Sequence, residues 1–105
     1  MSTPLENLNA KLFREHLHTN FMVQDGTTGT VLLELADAVE GNTSPKMELF
    51  SLYFRGPFTP RLSQQIHRLE HEKLGVVEIF LTAIEADQEK GTLYESVFHR
   101  FRQAQ

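Results

Sequence analysis

The chain has 105 residues, of which 40% are hydrophobic and 23% are charged, and its formal net charge is −4. This length and composition predict one globular domain with a single core. The lack of cysteine excludes disulfides, thiolate metal ligands and a cysteine nucleophile, while the acidic balance argues against a nucleic-acid backbone as the partner.

The N-terminal stretch predicts a helix over residues 1–12. Thr3 and Glu6 have the spacing of a capping box, and Pro4 suits the first helical position. The leucines that recur at helical spacing are Leu5, Leu8 and Leu12. A helix this short is marginal alone, so we expect its apolar stripe to dock on the rest of the domain.

Alternation of apolar and polar residues predicts antiparallel strands over residues 13–102. The first two cover 13–23 and 30–39 and are separated by a turn over 25–29. On the first strand, His16 and His18 are placed on the same face. The residues placed together on one face of the second strand are Val31, Leu33 and Leu35.

Four further strands are predicted at about 46–55, 64–71, 76–84 and 92–102. The first of these is apolar on both faces, which predicts a central strand covered on both sides. The fifth strand is predicted to have one apolar face, which includes Ala83. The predicted core residues are Phe50, Leu52, Phe54, Ile79, Leu81, Val97 and Phe98.

Six short strands without crossover helices indicate a mainly β fold. We therefore expect a small antiparallel barrel or sandwich of about six strands with a short N-terminal helix, formed by residues 1–105 as a single domain. The helix is expected to occupy 1–12 and the strands 13–102.

Three groups of spaced residues between Phe50 and Phe98 form a recognisable pattern. The groups read F-x-L-x-F-x-G-P from Phe50, L-x-Q-x-x-x-x-L-E-H-x-x-L-G-x-x-x-x-F-L from Leu62, and Y-E-x-V-F from Tyr94. This pattern resembles an uncharacterised family of short bacterial β domains, a domain of unknown function. His67 departs from the pattern, which has an aromatic residue there. The resemblance implies a fold and no catalytic residues.

Domains of this kind are also similar to accessory proteins found beside phage-tail-collar-like proteins. That similarity implies a role in phage-tail-like or surface structures.

Two histidines provide the best candidate metal ligands. On a strand, His16 and His18 lie about 6.6 Å apart on one face. One alternative function is therefore a small metal-dependent enzyme with these ligands and Glu70 or His71 as the base. Strand neighbours point to opposite faces, so Glu70 and His71 are better interpreted as residues that close a strand and cap its turn. We expect no metal, no cofactor and no catalytic residue.

A second alternative is an RNA-binding small barrel that uses Tyr53, Phe54 and Arg55. Base stacking on aromatic rings and a nearby cation are typical of such sites. The interspersed carboxylates weaken this interpretation, and we expect no nucleic-acid partner.

The favoured function is a noncatalytic protein-binding or assembly module with a protein partner or self-association. The fourth strand is polar, which is typical of an edge whose free main-chain groups can pair with another chain. The predicted protein-binding residues are Gln64, Gln65, His67, Arg68 and Glu70. The absence of a leader pattern and of an apolar run of about 20 residues predicts a cytoplasmic domain that does not contact membranes.

Overall fold

A computed structural model describes residues 9–25, 29–41, 44 and 46–101. The elements are α1 (Ala10–Arg14), β1 (Asn20–Asp25), β2 (Gly29–Glu40), β3 (Met47–Gly56), β4 (Gln65–His71), β5 (Gly75–Asp87) and β6 (Gly91–Phe101). All strand pairs are antiparallel. Their order is β1-β2-β3-β6-β5-β4, and β1 also pairs with β4, which closes the sheet into a barrel. The predicted mainly β fold with six antiparallel strands and a short helix is confirmed.

The helix lies further along the chain than predicted. Asn9 caps it, because its side chain accepts a hydrogen bond from the Leu12 N–H at 2.8 Å. Phe13, predicted to begin a strand, instead lies in α1 and is fully buried, and β1 begins only at Asn20. The residues of the predicted capping box and the first two leucines of the stripe, Thr3, Glu6, Leu5 and Leu8, lie outside the described residues.

Side chains from outside the sheet close both ends of the core. At one end the ring of Phe13 lies 6.3 Å from that of Phe50 and 6.2 Å from that of Phe98. At the other end Leu62 is buried, and its N–H donates to Tyr94 Oη at 2.8 Å. The helix and the β3–β4 connection therefore complete a core that the strands alone leave open.

Most of the predicted core is confirmed. The fully or nearly fully buried residues among those predicted are Phe50, Leu52, Phe54, Ile79 and Leu81. Phe98 is partly buried and packs against this cluster. Val97 was wrongly assigned to the core, because it is 55% exposed. Successive strand residues point to opposite faces, so the inward position of Phe98 turns Val97 outward.

The sheet forms a single layer, and this corrects the prediction for β3. Phe50, Leu52 and Phe54 face the core, but Ser51 and Tyr53 on the other face are only half-buried. The strand has a neighbour on each side, β2 and β6, but no second layer covers its outer face among the described residues. Apolar residues on both faces of the sequence therefore did not indicate a covered strand.

Two of the six strand interfaces leave part of both strands unpaired beside the β4–β5 hairpin, residues 65–81. In the described chain, β1 and β4 pair only at Met22–Glu70 and Val23–Leu69. The β5–β6 pairs run from Asp87–Gly91 to Thr82–Glu95 and stop there, although both strands continue. The hairpin is thus flanked by two gaps in the sheet.

A β-bulge lies next to the second gap, on the C-terminal side of the unpaired part of β5. The β5–β6 register shifts between Ala83 and Glu85. A bulge bends its strand and increases the local twist. This accounts for the divergence of residues 75–81 of β5 from β6. It also exposes Ala83, which the alternation had placed on the apolar face of the strand.

Candidate functional site

Three large apolar side chains are exposed on neighbouring strands of the outer surface. Ile66 is 65% exposed, Phe80 45% and Val97 55%. Ile66 and Phe80 are directly opposite each other in the β4–β5 ladder, a relation that puts their side chains in reach of one another. All three residues line a groove of about 270 Å³ between β5 and β6. We call Ile66, Phe80 and Val97 the outer patch.

The remaining groove residues come from the same two strands. They are Glu78, Ile79, Ser96, Phe98 and His99. Ile79 and Ser96 are buried at the base, whereas Glu78 and His99 are exposed at the rim. We call this cavity the β5–β6 groove.

The predicted binding segment on β4 is divided between two faces of the strand. Arg68 and Glu70 point outward with Ile66, whereas His67 lies on the same side as the buried Leu69. Gln64 and Gln65 are exposed at the start of the segment. The ring of His67 is tied locally, since its Nε2 lies 2.7 Å from Ser63 O.

The predicted edge is correct for only part of β4. Leu69 and Glu70 have partners on both β1 and β5, so this end of the strand is internal. Residues 65–68 have ladder partners on β5 alone in the described part of the chain. Within the part of the chain that the structure describes, β4 is therefore an edge over its first half.

The outer patch was not predicted from the sequence, because all the predicted protein-binding residues were polar. Ile66 has the same parity as Arg68 and Glu70, and a period of two would have placed it beside them on the outer face. Phe80 alternates with the buried Ile79 and Leu81 in the same way. The alternation was present in the sequence, but Ile66 and Phe80 received no predicted role and Val97 was predicted to be a core residue.

His71 is a structural residue of the β4–β5 turn. Its Nδ1 accepts the N–H groups of Lys73 and Leu74 at 3.0 and 3.1 Å. Its Nε2 lies 2.9 Å from Thr19 Oγ1, and that hydroxyl donates to His16 O at 2.6 Å. Both ring nitrogens are therefore engaged within the fold, as expected of a residue that caps the turn.

The electrostatics of His71 follow from its burial. The side chain is 7% exposed, and its desolvation, followed by the nearby His16, lowers the pKa of the imidazole. The ring packs against that of Phe21, with the ring centroids 4.5 Å apart and the planes tilted by 42°. The neighbouring Glu70 is half-buried on the opposite face of the strand and does not form a pair with the ring. This arrangement suits a neutral hydrogen-bonding residue better than a general base.

The two candidate metal ligands do not lie on a strand, so their predicted shared face is wrong. His16 and His18 lie in the turn after α1, where His18 has φ 66°. The ring of His16 is 5.0 Å from that of His71, whereas His18 Nδ1 is 3.3 Å from Glu34 Oε2. Within the described residues, no group of three or more His, Asp or Glu side chains is placed to hold a metal.

A polar pocket beside His71 is lined by three charged residues, two histidines, a threonine and an asparagine. It has a volume of about 420 Å³ and is lined by Glu15, His16, Thr19, Asn20, His71, Glu72 and Lys73. Two of its members, Thr19 and His71, are hydrogen-bonded to each other.

The three residues of the RNA-binding alternative do not share one face of β3, because Phe54 points inward and Tyr53 and Arg55 point outward. Phe54 is fully buried and makes an edge-on contact with Phe21 at 5.3 Å, so its ring is not available to stack on a base. Tyr53 Oη donates to Glu95 Oε2 at 2.9 Å, and this carboxylate, chiefly through the hydrogen bond, raises the pKa of Tyr53. Arg55 Nη1 is buried without a hydrogen-bond partner.

No helix in the described residues is long and apolar enough to cross a membrane. No curated protein matches the chain, and no solved structure does. A family model matches residues 8–98, which include every residue of the outer patch and of the β4–β5 hairpin. The match confirms the resemblance seen over Phe50–Phe98 and extends it to the N-terminal half. The chain belongs to the family described as Domain of unknown function (DUF6916).

Proposed function

We propose that this domain is a noncatalytic protein-binding or assembly module and that its contact surface is the outer patch. The observation that carries the proposal is the exposed cross-strand pair of Ile66 and Phe80, with Val97 across the groove. Contiguous apolar side chains on a small domain are typical of interaction surfaces. Three charged residues, Arg68, Glu70 and Glu78, share the outer face with the patch, as in the rim of a protein interface.

The half-paired first part of β4 supports the same proposal. Residues 65–68 have a ladder partner on one side only within the described chain, so main-chain groups on the other side remain available to a partner. Of the predicted binding residues, Arg68 and Glu70 share the outer face with the patch, and Gln64 and Gln65 are exposed at the start of the segment, so these four contribute polar contacts. His67 lies on the opposite face of the strand and is left out of the contact surface. The partner is another protein or a second copy of this chain.

We also propose a cellular setting for this contact, which the sequence supports. The similarity to accessory proteins beside phage-tail-collar-like proteins leads us to propose an assembly role in a phage-tail-like or surface structure. The lack of cysteine suits a reducing compartment, and we propose that the domain acts in the cytoplasm.

Affinity capture with matched variants tests the proposal. The wild-type domain, Ile66→Thr and Leu32→Thr are immobilised and exposed to the same native extract. Leu32 is 51% exposed on β2, so its substitution removes a comparable apolar side chain away from the patch. We expect a protein that binds the wild type and Leu32→Thr equally and binds Ile66→Thr at least tenfold more weakly.

Self-association is tested on the same three proteins by sedimentation equilibrium. A dimer that weakens only in Ile66→Thr supports a homotypic contact at the outer patch. Equal binding of the extract by all three proteins, together with equal sedimentation, would refute the proposed surface.

A further inference from the structure

We propose that the β5–β6 groove binds an extended segment of the partner protein, which adds to the sheet as a strand. The segment carries apolar side chains at alternate positions and a basic side chain that faces Glu78. This inference rests on the proposed protein-binding function and names the class of partner segment.

The first support is the end of the β5–β6 ladder. Phe80 pairs with Ile66 on β4, and Val97 pairs with Ser51 on β3, but no pair joins Phe80 or Val97 across the groove in the described part of the chain. In an antiparallel strand, successive residues direct their N–H and C=O groups alternately to the two sides. Each wall of the groove therefore presents main-chain donors and acceptors suited to an extended chain.

The second support is the arrangement of apolar groups in the groove. Ile79 lies at its base and is 4% exposed, whereas Phe80 and Val97 rise on opposite walls and are about half exposed. A strand laid between the walls places every second side chain on the outer face, beside Phe80 and Val97. A helix or a compact loop would satisfy its own main chain and leave the groups of both walls unpaired.

The third support is charge. Among the described residues, Glu78 is the only carboxylate that lines the groove, and it is exposed. Arg68 lies opposite Glu78 in the β4–β5 register, yet no ion pair of Glu78 forms in the described part of the chain. The net charge of −4 further favours a basic segment. A lysine or arginine in the bound strand would complement this carboxylate.

A peptide library tests the inference directly. Random 12-residue peptides displayed on phage are selected on the immobilised wild-type domain after depletion on Val97→Lys, which places a cation on one wall. We expect enriched peptides with apolar residues at alternate positions and at least one Lys or Arg. Synthetic versions should bind Val97→Lys at least tenfold more weakly than the wild type. They should bind the matched control Leu32→Lys with unchanged affinity.

Amide hydrogen exchange by NMR locates the bound peptide. Pairing in the groove should slow exchange at some of the amides of Glu78, Phe80, Ser96 and Val97, and Glu78→Gln should weaken binding about threefold and reduce its salt dependence. Enriched peptides without alternation, equal binding by Val97→Lys, or no enrichment would each overturn the inference.

Protection confined to residues 65–68 would also overturn the inference while leaving the proposed function intact, because the strand would then have added to β4. The proposed function is refuted by a different result, namely that Ile66→Thr matches the wild type and Leu32→Thr both in capture from the extract and in sedimentation. The two failures are therefore distinguishable.

Discussion

Thr19 Oγ1 lies 2.9 Å from His71 Nε2 and joins two segments that are 52 residues apart in the chain. Because the threonine hydroxyl donates to His16 O, it accepts the N–H of Nε2 from the imidazole. Nδ1 then carries a lone pair, which accepts the N–H groups of Lys73 and Leu74. The hydrogen bonds thus fix the neutral ring and one tautomer at the point where β1 meets β4.

Acidification should destabilise the domain through His71. Burial first, and the charge of His16 second, lower the pKa of the folded-state imidazole below its unfolded value of about 6.5. Between these two pKa values the unfolded chain binds more protons. The contribution of neutral His71 to the free energy of unfolding is therefore complete above about pH 6.5. It is lost as the pH falls from the unfolded pKa through the lower folded pKa. Urea unfolding from pH 8 to pH 5 measures the effect.

Two variants assign that pH dependence to His71. In His71→Gln, the free energy of unfolding should change less with pH. At pH 8 it should be lower by about 1–3 kcal/mol, because the ring's hydrogen bonds at the turn are lost. His99→Gln replaces an exposed imidazole and is the matched control. Its free energy of unfolding should change with pH as that of the wild type does. Equal slopes in His71→Gln and the wild type would contradict the assignment.

Phe54→Ala should be strongly destabilising. The ring is fully buried and packs edge-on against Phe21, so its removal should cost about 3–5 kcal/mol. Phe80→Ala removes the same ring from a position that is 45% exposed and should cost less than about 1 kcal/mol. Urea unfolding midpoints compare the two. An unchanged midpoint in Phe54→Ala would be inconsistent with the inward face of β3.

The two tyrosine hydroxyls should contribute unequally to stability. Tyr94→Phe removes the buried acceptor of the Leu62 N–H and should cost about 1–3 kcal/mol. Tyr53→Phe removes the donor to Glu95, where water can replace it, and should cost about 0.5 kcal/mol. Thermal unfolding measures both. A larger loss in Tyr53→Phe would show that the β3–β4 connection does not depend on Tyr94.

Alanine substitutions at Gly91 and Gly29 distinguish the cost of a steric clash from the cost of backbone strain. Both have a left-handed backbone, with φ +90° and +93°, in which an alanine costs about 1–2 kcal/mol. A Cβ at Gly91 would lie 2.1 Å from Gly56 O, whereas a Cβ at Gly29 meets open space. Gly91→Ala should therefore lower the unfolding midpoint clearly more than Gly29→Ala. Similar midpoints would mean that β3 and the β5–β6 turn do not approach so closely.

The position of the proposed binding segment in the chain could be predicted from the sequence, but the arrangement of its side chains could not. The polar stretch at residues 64–70 was identified, and among the described residues the first half of β4 has ladder partners on β5 alone. Ile66 and Phe80 were not identified, because every predicted protein-binding residue was polar. His16 and His18 were misplaced, since a hydrogen-bonded turn after α1 replaced the predicted strand.

The sequence by itself determined the β class, the alternation of most strands and the buried positions of Phe50, Leu52 and Phe54. These depend on a period of two along the chain, which is a local property. Only the tertiary structure decided that β1 closes onto β4, that Phe13 fills one end of the core and that β5 separates from β6 beyond Thr82. Strand partners are chosen by contacts between residues far apart in the chain, and no local period encodes them.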